Sequence, residues 1–379
     1  MRIVVDENIP LGREAFSRLG RVDLFPGRSL KRDDLLDADV LLVRSITKVD
    51  RNLLEGTSVR FVGTATIGTD HVDRGYLNQA GIAFADAAGC NANSVGEYIT
   101  AALLDLEAAL GVRFEGRTLG IVGVGNVGSN VARRADPLGL KVLQNDPPRA
   151  EREGPEGFVS LEHLLAESDI VTFHTPLERG GKHPTYHLCG ERELAQMKPD
   201  ALLLNTSRGP VVDNSALLAA LEGRRLAGCA LDVWENEPYP DPRLLDKVDI
   251  ATPHIAGYSF DGKVAGTRMM FESLCRFLKR SPSDDIGLFE IPLENPHLEI
   301  VSTGREALRE AVFGAYPIQE DDRRTRRLLD LPLENRGAEF DRLRKEYPVR
   351  REFHGYRLSG SHLTQADRSQ LADLGFQPD

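Results

Sequence analysis

His254 and Glu237 lie in the stretch "LDVWENEPYPDPRLLDKVDIATPHIAGYS" (Leu231–Ser259), each just past a short apolar run and among prolines and glycines. An imidazole with an ordinary pKa of about 6.5 can take a hydroxyl proton as a hydride leaves the same carbon. A carboxylate on its other ring nitrogen would fix the tautomer and stabilise the imidazolium as it forms. Arg208, past another apolar run in "LLLNTSRGPVVD", offers a planar fork that grips a carboxylate through two hydrogen bonds. Alone, each reads equally well as a surface arginine, a turn acid or a satisfied loop histidine. On successive strand ends, the three describe proton and hydride transfer at a 2-hydroxy acid.

A hydride needs an acceptor, and "GIVGVGNVGSNVARRADPLGLKVLQNDPPR" supplies the pattern for one. Gly123, Gly125 and Gly128 form G-x-G-x-x-G directly after a strand pattern and at the opening of a helix pattern. The first glycine permits a tight turn, the second lets backbone approach a pyrophosphate, and the third allows close packing of helix on strand. The helix start offers N–H groups to the phosphates. Asp146 ends the next strand at about the 20-residue offset expected of the acid that binds both ribose hydroxyls. An acid there repels a 2′-phosphate and favours NAD, while Arg149 is a counter-signal because an arginine can accept that phosphate.

These residues must be held by alternating strands and helices. "RIVVDE", "DVLLVRS", "RFVGTAT" and "IAFADA" read as parallel strands, followed by a long helix from Asn93 to Leu110 with apolar positions Val95, Ile99, Leu103, Leu106 and Leu110. A second series, "TLGIVGVG", "KVLQND", "DIVTFHTP", "ALLLNTSRG", "LAGCALDVWE" and "DIATPHIAG", has the continuous apolar character of strands covered on both faces. A helix from about Asp261 to Lys279 follows. Past "RSPSDDIG" charges become dense and strand-like runs isolated, which suggests a smaller α+β unit. The expected fold is α/β, with two doubly wound parallel-sheet domains and this C-terminal addition.

Composition narrows the field. A formal net charge of -11 argues against a nucleic acid as partner, since phosphate neutralisation needs a basic face. The arginines of "DDRRTRRLLD" read as a solvated helix face flanked by acids. Four cysteines without a CxxC pair disfavour a zinc site or a disulfide framework and fit a reducing compartment. His183 and His187 in "HPTYH" have metal-binding spacing, but Pro184 argues for a loop and no third ligand is evident, so no metal is expected. No apolar run reaches the roughly 18 residues of a membrane span, and the first residues are unlike a signal peptide. A cytoplasmic protein is expected.

The chain resembles the D-isomer-specific 2-hydroxyacid dehydrogenases over roughly Met1 to Lys279, through "GTDHVD", "GIVGVGNVG", "NTSRGPVVD", "ALDVWENEP" and "TPHIAGYS". The resemblance implies Arg208, Glu237 and His254 as a catalytic trio and an active site in an interdomain cleft. It also implies Asn126, Val127, Asp146, Thr175, Thr206, Ser207, Asp232 and Gly257 at an NAD site, with Asp232 on the nicotinamide carboxamide. It makes the first domain discontinuous: a flavodoxin-like substrate domain over 1–94 and 257–285, a Rossmann NAD domain over 95–256, and a C-terminal domain over 286–379.

A closer resemblance within the family rests on "VDENIP", "FSRLG", "DADVLLVRSITKVD", "FVGTATIGTDHVD", "GCNANSVGEY", "DPPR" and "FHTPL", and on a tail of similar size. It implies a phosphorylated sugar acid as substrate, contacts from Ser45, Thr66 and Tyr258, and a homodimer formed through the C-terminal domain. Arg44 and Lys48 suit a phosphate but could equally pair with nearby acids. Arginines of "YPVRREFHGYR", Arg350 and Arg351 among them, are further candidates for the phosphate. Two other readings stay open: a sister enzyme acting on 3-phosphoglycerate or glyoxylate, and a non-enzymatic NAD-sensing scaffold.

Overall fold

A computed structural model describes residues 1–282 and 287–379, in two compact units. The first comprises Met1–Asn91 and Ser259–Pro292; the second comprises Ala92–Tyr258 and Leu293–Asp379. The expected boundary between residues 285 and 286 lies outside the described residues.

The first unit is built on β1 (Arg2–Asp6), β2 (Arg21–Phe25), β3 (Val40–Val43), β4 (Phe61–Thr64) and β5 (Ala83–Asp86). All pair in parallel, in the order β2-β1-β3-β4-β5, which is the flavodoxin-like arrangement. The sequence patterns miss β2, an edge strand in which only Val22 is buried. The helix Phe260–Phe277 returns to this unit and seats Met270, Phe271 and Leu274 in its core. Ser259 starts it by accepting the Gly262 N–H, a side-chain cap of the usual kind.

The second unit carries β6 (Thr118–Val122), β7 (Lys141–Asn145), β8 (Ile170–Phe173), β9 (Leu202–Asn205), β10 (Gly228–Leu231) and β11 (Ile250–Ala251). They form one parallel sheet in the order β11-β10-β9-β8-β6-β7, so the chain changes direction across the sheet between β6 and β8. In open α/β sheets, ligands bind beyond the carboxyl ends of the strands at such a switch point. β8, β9 and β10 are buried along their whole length, as their unbroken apolar runs require.

In the same unit, β12 (His297–Glu299), β13 (Arg357–Ser359) and β14 (Gln377–Pro378) make a small three-stranded parallel sheet. Its helices Gly304–Ala315 and Ile318–Arg326 pack on the helix Ala92–Leu110. That contact explains why the long helix buries Tyr98, Ala101, Ala102, Leu104 and Glu107 in addition to the expected apolar stripe. A helix covered on two sides is apolar on two sides. Glu107, 1% exposed, meets Arg305 at 2.6 Å, Arg309 at 3.0 Å and the Phe114 N–H at 2.9 Å. Burial alone would raise its carboxyl, but these partners hold it below the usual glutamate range. Glu352 is tied to Ser94 Oγ at 2.7 Å, and the Phe353 N–H to Glu97 at 2.8 Å.

One sequence reading is refined locally. Arg326 does more than face solvent: it pairs with Asp322 at 2.8 Å and donates to the Leu245, Val248 and Asp249 carbonyls. Among the described residues, no helix is long and apolar enough to cross a membrane.

Candidate active site

β6 runs into Gly123, whose φ of 87° and 2.8 Å approach to the His174 carbonyl, measured from where a Cβ would stand, leave no room for a side chain. A Cβ on Gly128 would lie 2.0 Å from the Gly123 carbonyl oxygen, so the helix Asn126–Ala135 can start this close to β6 only with glycine there. Gly125 caps that helix without a side-chain hydrogen bond, and a Cβ there would meet nothing within 4 Å. Tight turn, open cradle and close packing fall on the three glycines in the order the motif requires. Asn126 and Val127 open the helix with their N–H groups toward its positive end.

Asp146 stands at the end of β7. Its carboxylate accepts the Val124 N–H at 2.8 Å and the Arg149 N–H at 2.9 Å, which fixes it beside the glycine turn. Arg149 is engaged elsewhere: it pairs with Glu153 at 2.7 Å and donates to the Val124 carbonyl at 2.6 Å. Beyond β8, the Thr175 Oγ1 is buried without a hydrogen-bond partner, which is unusual unless a ligand supplies one. Thr206, beyond β9, shares a 3.2 Å hydrogen bond with His174 Nδ1, while His174 Nε2 meets Thr172 Oγ1 at 3.0 Å. Burial lowers the His174 pKa to about 3, so this ring stays neutral and ties two strand ends together. An open glycine cradle, a helix start, a fixed acid and an unpaired buried hydroxyl together fit a dinucleotide.

Arg208 is placed by Asn205, the last residue of β9. The Asn205 side chain accepts from Ser207 N–H at 3.0 Å and Ser207 Oγ–H at 2.7 Å, and donates to the Arg208 carbonyl at 3.0 Å. The next residue, Gly209, approaches the Trp234 carbonyl so closely that a Cβ would sit 1.9 Å from its oxygen. This contact joins the loop carrying Arg208 to the loop carrying Glu237.

Glu237 is held at both oxygens. Oε1 accepts the Trp234 N–H at 2.9 Å, and Oε2 meets His254 Nδ1 at 2.8 Å. Burial would raise this carboxyl, yet His254, the Trp234 N–H and the charge of Arg344 keep it below the ordinary glutamate value. An ionised Glu237 accepts the Nδ1 proton and directs Nε2 outward. His254 has a φ of 60°, an uncommon conformation for a non-glycine residue. Asp232 organises that turn: its carboxylate accepts Thr252 Oγ1–H at 2.7 Å, Ile255 N–H at 2.7 Å and Ala256 N–H at 2.9 Å, and its carbonyl accepts the His254 N–H at 2.7 Å. Asp232 thus positions the histidine loop directly, whatever else it contacts. Gly257 and Tyr258, both half-buried, follow on the same loop.

In the first unit, Ser45 is exposed after β3, and Thr66, just past β4, bonds Thr64 Oγ1 at 2.8 Å. Lys48 pairs with Asp50 at 3.0 Å. His71 lies 3.0 Å from Thr64 Oγ1 and packs locally as expected. The two histidines of "HPTYH" go separate ways, His183 to Glu151 at 2.9 Å and His187 to Glu235 at 2.6 Å. His187, Asp213 and Glu235 do place ligand-type atoms within 4.8 Å of one another, a third group that sequence spacing did not reveal. Each has a structural task there, since Asp213 caps the helix Asn214–Glu222 and Glu235 accepts the Asn214 N–H. Arg350, a candidate for the phosphate, keeps its Nε and Nη1 buried without hydrogen-bond partners. It is 5% exposed and donates to the Ser94 and Ala256 carbonyls at 3.1 and 2.7 Å.

Known proteins place this geometry in a class. The family model of the D-isomer specific 2-hydroxyacid dehydrogenase NAD binding domain matches residues 94–256, and a domain of unknown function (DUF3410) matches residues 292–375. D-lactate dehydrogenase from Aquifex aeolicus, solved with NAD and lactic acid, aligns with a TM-score of 0.61 at 25% identity, over 76% of this chain and 98% of that one. Erythronate-4-phosphate dehydrogenase from Cronobacter sakazakii is 47% identical over 99% of this chain and 98% of its own length. The Pseudomonas putida protein of the same name is 48% identical, with the same coverage. The chain belongs to the erythronate-4-phosphate dehydrogenase family, within the D-isomer-specific 2-hydroxyacid dehydrogenases.

Proposed function

We propose that the protein is an NAD-dependent dehydrogenase that oxidises the C2 hydroxyl of 4-phospho-D-erythronate to (R)-3-hydroxy-2-oxo-4-phosphooxybutanoate, in the route to pyridoxal 5′-phosphate. The observation that carries the reading is the 2.8 Å contact between His254 Nδ1 and Glu237, in a chain that carries a dinucleotide cradle and is nearly half identical to enzymes of that name. NAD, held by the glycine turn, Asp146, Thr175, Thr206, Ser207 and Asp232, would supply the hydride acceptor.

The remaining work falls to side chains of this protein. His254 Nε2 takes the C2 hydroxyl proton, and Glu237 stabilises the imidazolium that results. Arg208 grips the substrate carboxylate and draws the reacting oxygen into register. Ser45 and Thr66 contribute hydroxyls and Tyr258 its phenol to the sugar acid. We further propose that the protein works in the cytoplasm as a homodimer formed through its C-terminal segment.

The test is NADH formation with 4-phospho-D-erythronate, 3-phosphoglycerate and glyoxylate, each assayed with and without an added 2-oxo acid to reoxidise bound NADH. Preference for the erythronate by at least tenfold in kcat/KM is expected. Turnover of 3-phosphoglycerate alone would keep the reaction class and remove the substrate. Absence of turnover with all three would point to the scaffold reading.

A further inference from the structure

The helix Leu333–Lys345 of the C-terminal segment reaches the histidine loop. Near its end, Arg344 Nη2 donates to the Tyr258 hydroxyl at 3.2 Å, and its guanidinium carbon lies 5.8 Å from the centre of that ring. Tyr347 packs edge-on against the other part of the same ring at 6.0 Å. The helix is anchored beside the Glu237 loop. Gly337 faces Tyr239 so closely that a Cβ would lie 2.4 Å from the Tyr239 Cζ, and Phe340 is buried in the same core as Trp234. Arg344 therefore stands at a fixed place next to Tyr258, and its charge acts on Glu237.

Its bonding is incomplete. Arg344 Nε is buried with no hydrogen-bond partner. Among the described residues, the only direct side-chain partner of this cation is a neutral phenol. Glu237 and Asp232 act on this cation through charge alone, without a hydrogen bond, and a buried donor left without an acceptor is costly. Five donors in a rigid fork match the oxygens of a phosphate, which a compact ammonium matches less well. A substrate with two anionic groups, a carboxylate and a phosphate, calls for a cation at each. Arg208 is assigned to the carboxylate, Lys48 is tied to Asp50, and Arg350, whose Nε and Nη1 also lack partners, is engaged in part by two backbone carbonyls and is 5% exposed against the half-buried Arg344.

We propose that Arg344 is a substrate-binding residue supplied by the C-terminal segment, and that its guanidinium takes the phosphate group of the substrate while Tyr258 holds it in place. This rests on the substrate reading given above. The appended segment then does more than associate with a second copy: it gives an otherwise general hydroxy-acid site its preference for a phosphorylated acid.

The test compares 4-phospho-D-erythronate with D-erythronate in the full-length wild type and Arg344→Gln, together with calorimetric binding of inorganic phosphate. The variant should lose roughly 10- to 100-fold in kcat/KM on the phosphorylated acid, mainly through KM, as expected for one charge-assisted hydrogen-bonding group. D-erythronate should change less than about threefold, and phosphate binding should weaken in parallel. Arg344→Lys, which keeps charge and stem but lacks the fork, should fall between. It also reads the same ratio should the glutamine variant not fold. Equal losses on both acids, or unchanged phosphate binding, would overturn the proposal and leave Arg344 as a support for Tyr258. Phosphate binding that depends on Arg344 in a wild type inactive on the erythronate would instead separate the subsite from the substrate reading.

Discussion

Residues 92–258 and residues 293–379 share one compact unit, and both thread parallel strands between helices, yet their strands and surfaces differ. In the first region, four of the six strands have four or five residues and lie almost wholly in the core, and the loops beyond the strands carry glycines, Arg208, Glu237 and His254. The second has strands of two or three residues, with His297 and Glu299 exposed, and helices dense in charge. It shares an apolar core with its neighbour, Leu308, Val312 and Leu371 lying in one buried cluster with Leu103 and Leu138, and adds matched polar groups, notably Arg305 and Arg309 on Glu107 and Glu352 on Ser94. One region specifies itself through repeated apolar runs. The other has short strands and charged helices whose apolar residues complete a core begun by the long helix Ala92–Leu110.

Substitutions in the two regions should therefore fail in different ways. His254→Ala, in the first, should lower kcat for NAD reduction by roughly 10²- to 10⁴-fold, the usual contribution of a positioned acid–base group. Its melting temperature should stay within a few degrees of wild type; a large loss of stability would show that the comparison is drawn in the wrong place. Glu107→Ala, against the second, should do the reverse. Removing one member of a buried ion-pair cluster strands two arginines and costs about 3–5 kcal/mol. Chemical denaturation should show that loss, while kcat per folded molecule holds.

Between these extremes, Gly209→Ala pushes a methyl group into the Trp234 carbonyl and should spread the Arg208 and Glu237 loops. Overpacking of this kind costs about 1–3 kcal/mol, to be read by denaturation alongside a fall in kcat/KM. The Glu107 carboxyl titrates below its usual value of 4.5 when folded, so its contribution is complete above that pH and disappears as pH falls through the depressed value. Wild type should thus lose stability on acidification more steeply than Glu107→Gln, measured by melting as the pH is lowered below the usual glutamate value of 4.5. The smallest effect is expected at Asp146→Ala. It should raise the NADP-to-NAD ratio of kcat/KM by roughly tenfold, or about 1.4 kcal/mol, because the acid that repels a 2′-phosphate is gone.

The same contrast sets what can be read from sequence. All six strands of the larger sheet stand out as apolar runs, and the glycine spacing announces the nucleotide turn, because each signal is local. β2 escapes because an edge strand with Val22 alone buried carries no period to detect. Asn205 and His174 escape as placing groups: an asparagine at a strand end looks like any turn residue until its three hydrogen bonds are seen. Arg344 sits in "FDRLRKEY", where alternating charge reads as a solvated helix face, and only the fold brings it to Tyr258. Arg350 and Arg351 carry the same residue type six and seven positions on and are buried. Residue type alone does not separate these arginines; only Arg344 stands hydrogen-bonded to Tyr258.

In the proposed reaction His254 accepts the proton because Glu237 holds it, and kcat of Glu237→Gln tests this most directly. The substitution preserves size and a hydrogen-bonding oxygen but removes the charge that fixes the tautomer and stabilises the imidazolium. NAD reduction with saturating 4-phospho-D-erythronate should slow by roughly 10²- to 10⁴-fold, with the fold intact. A kcat within about threefold of wild type, less than 1 kcal/mol of barrier, would contradict the account.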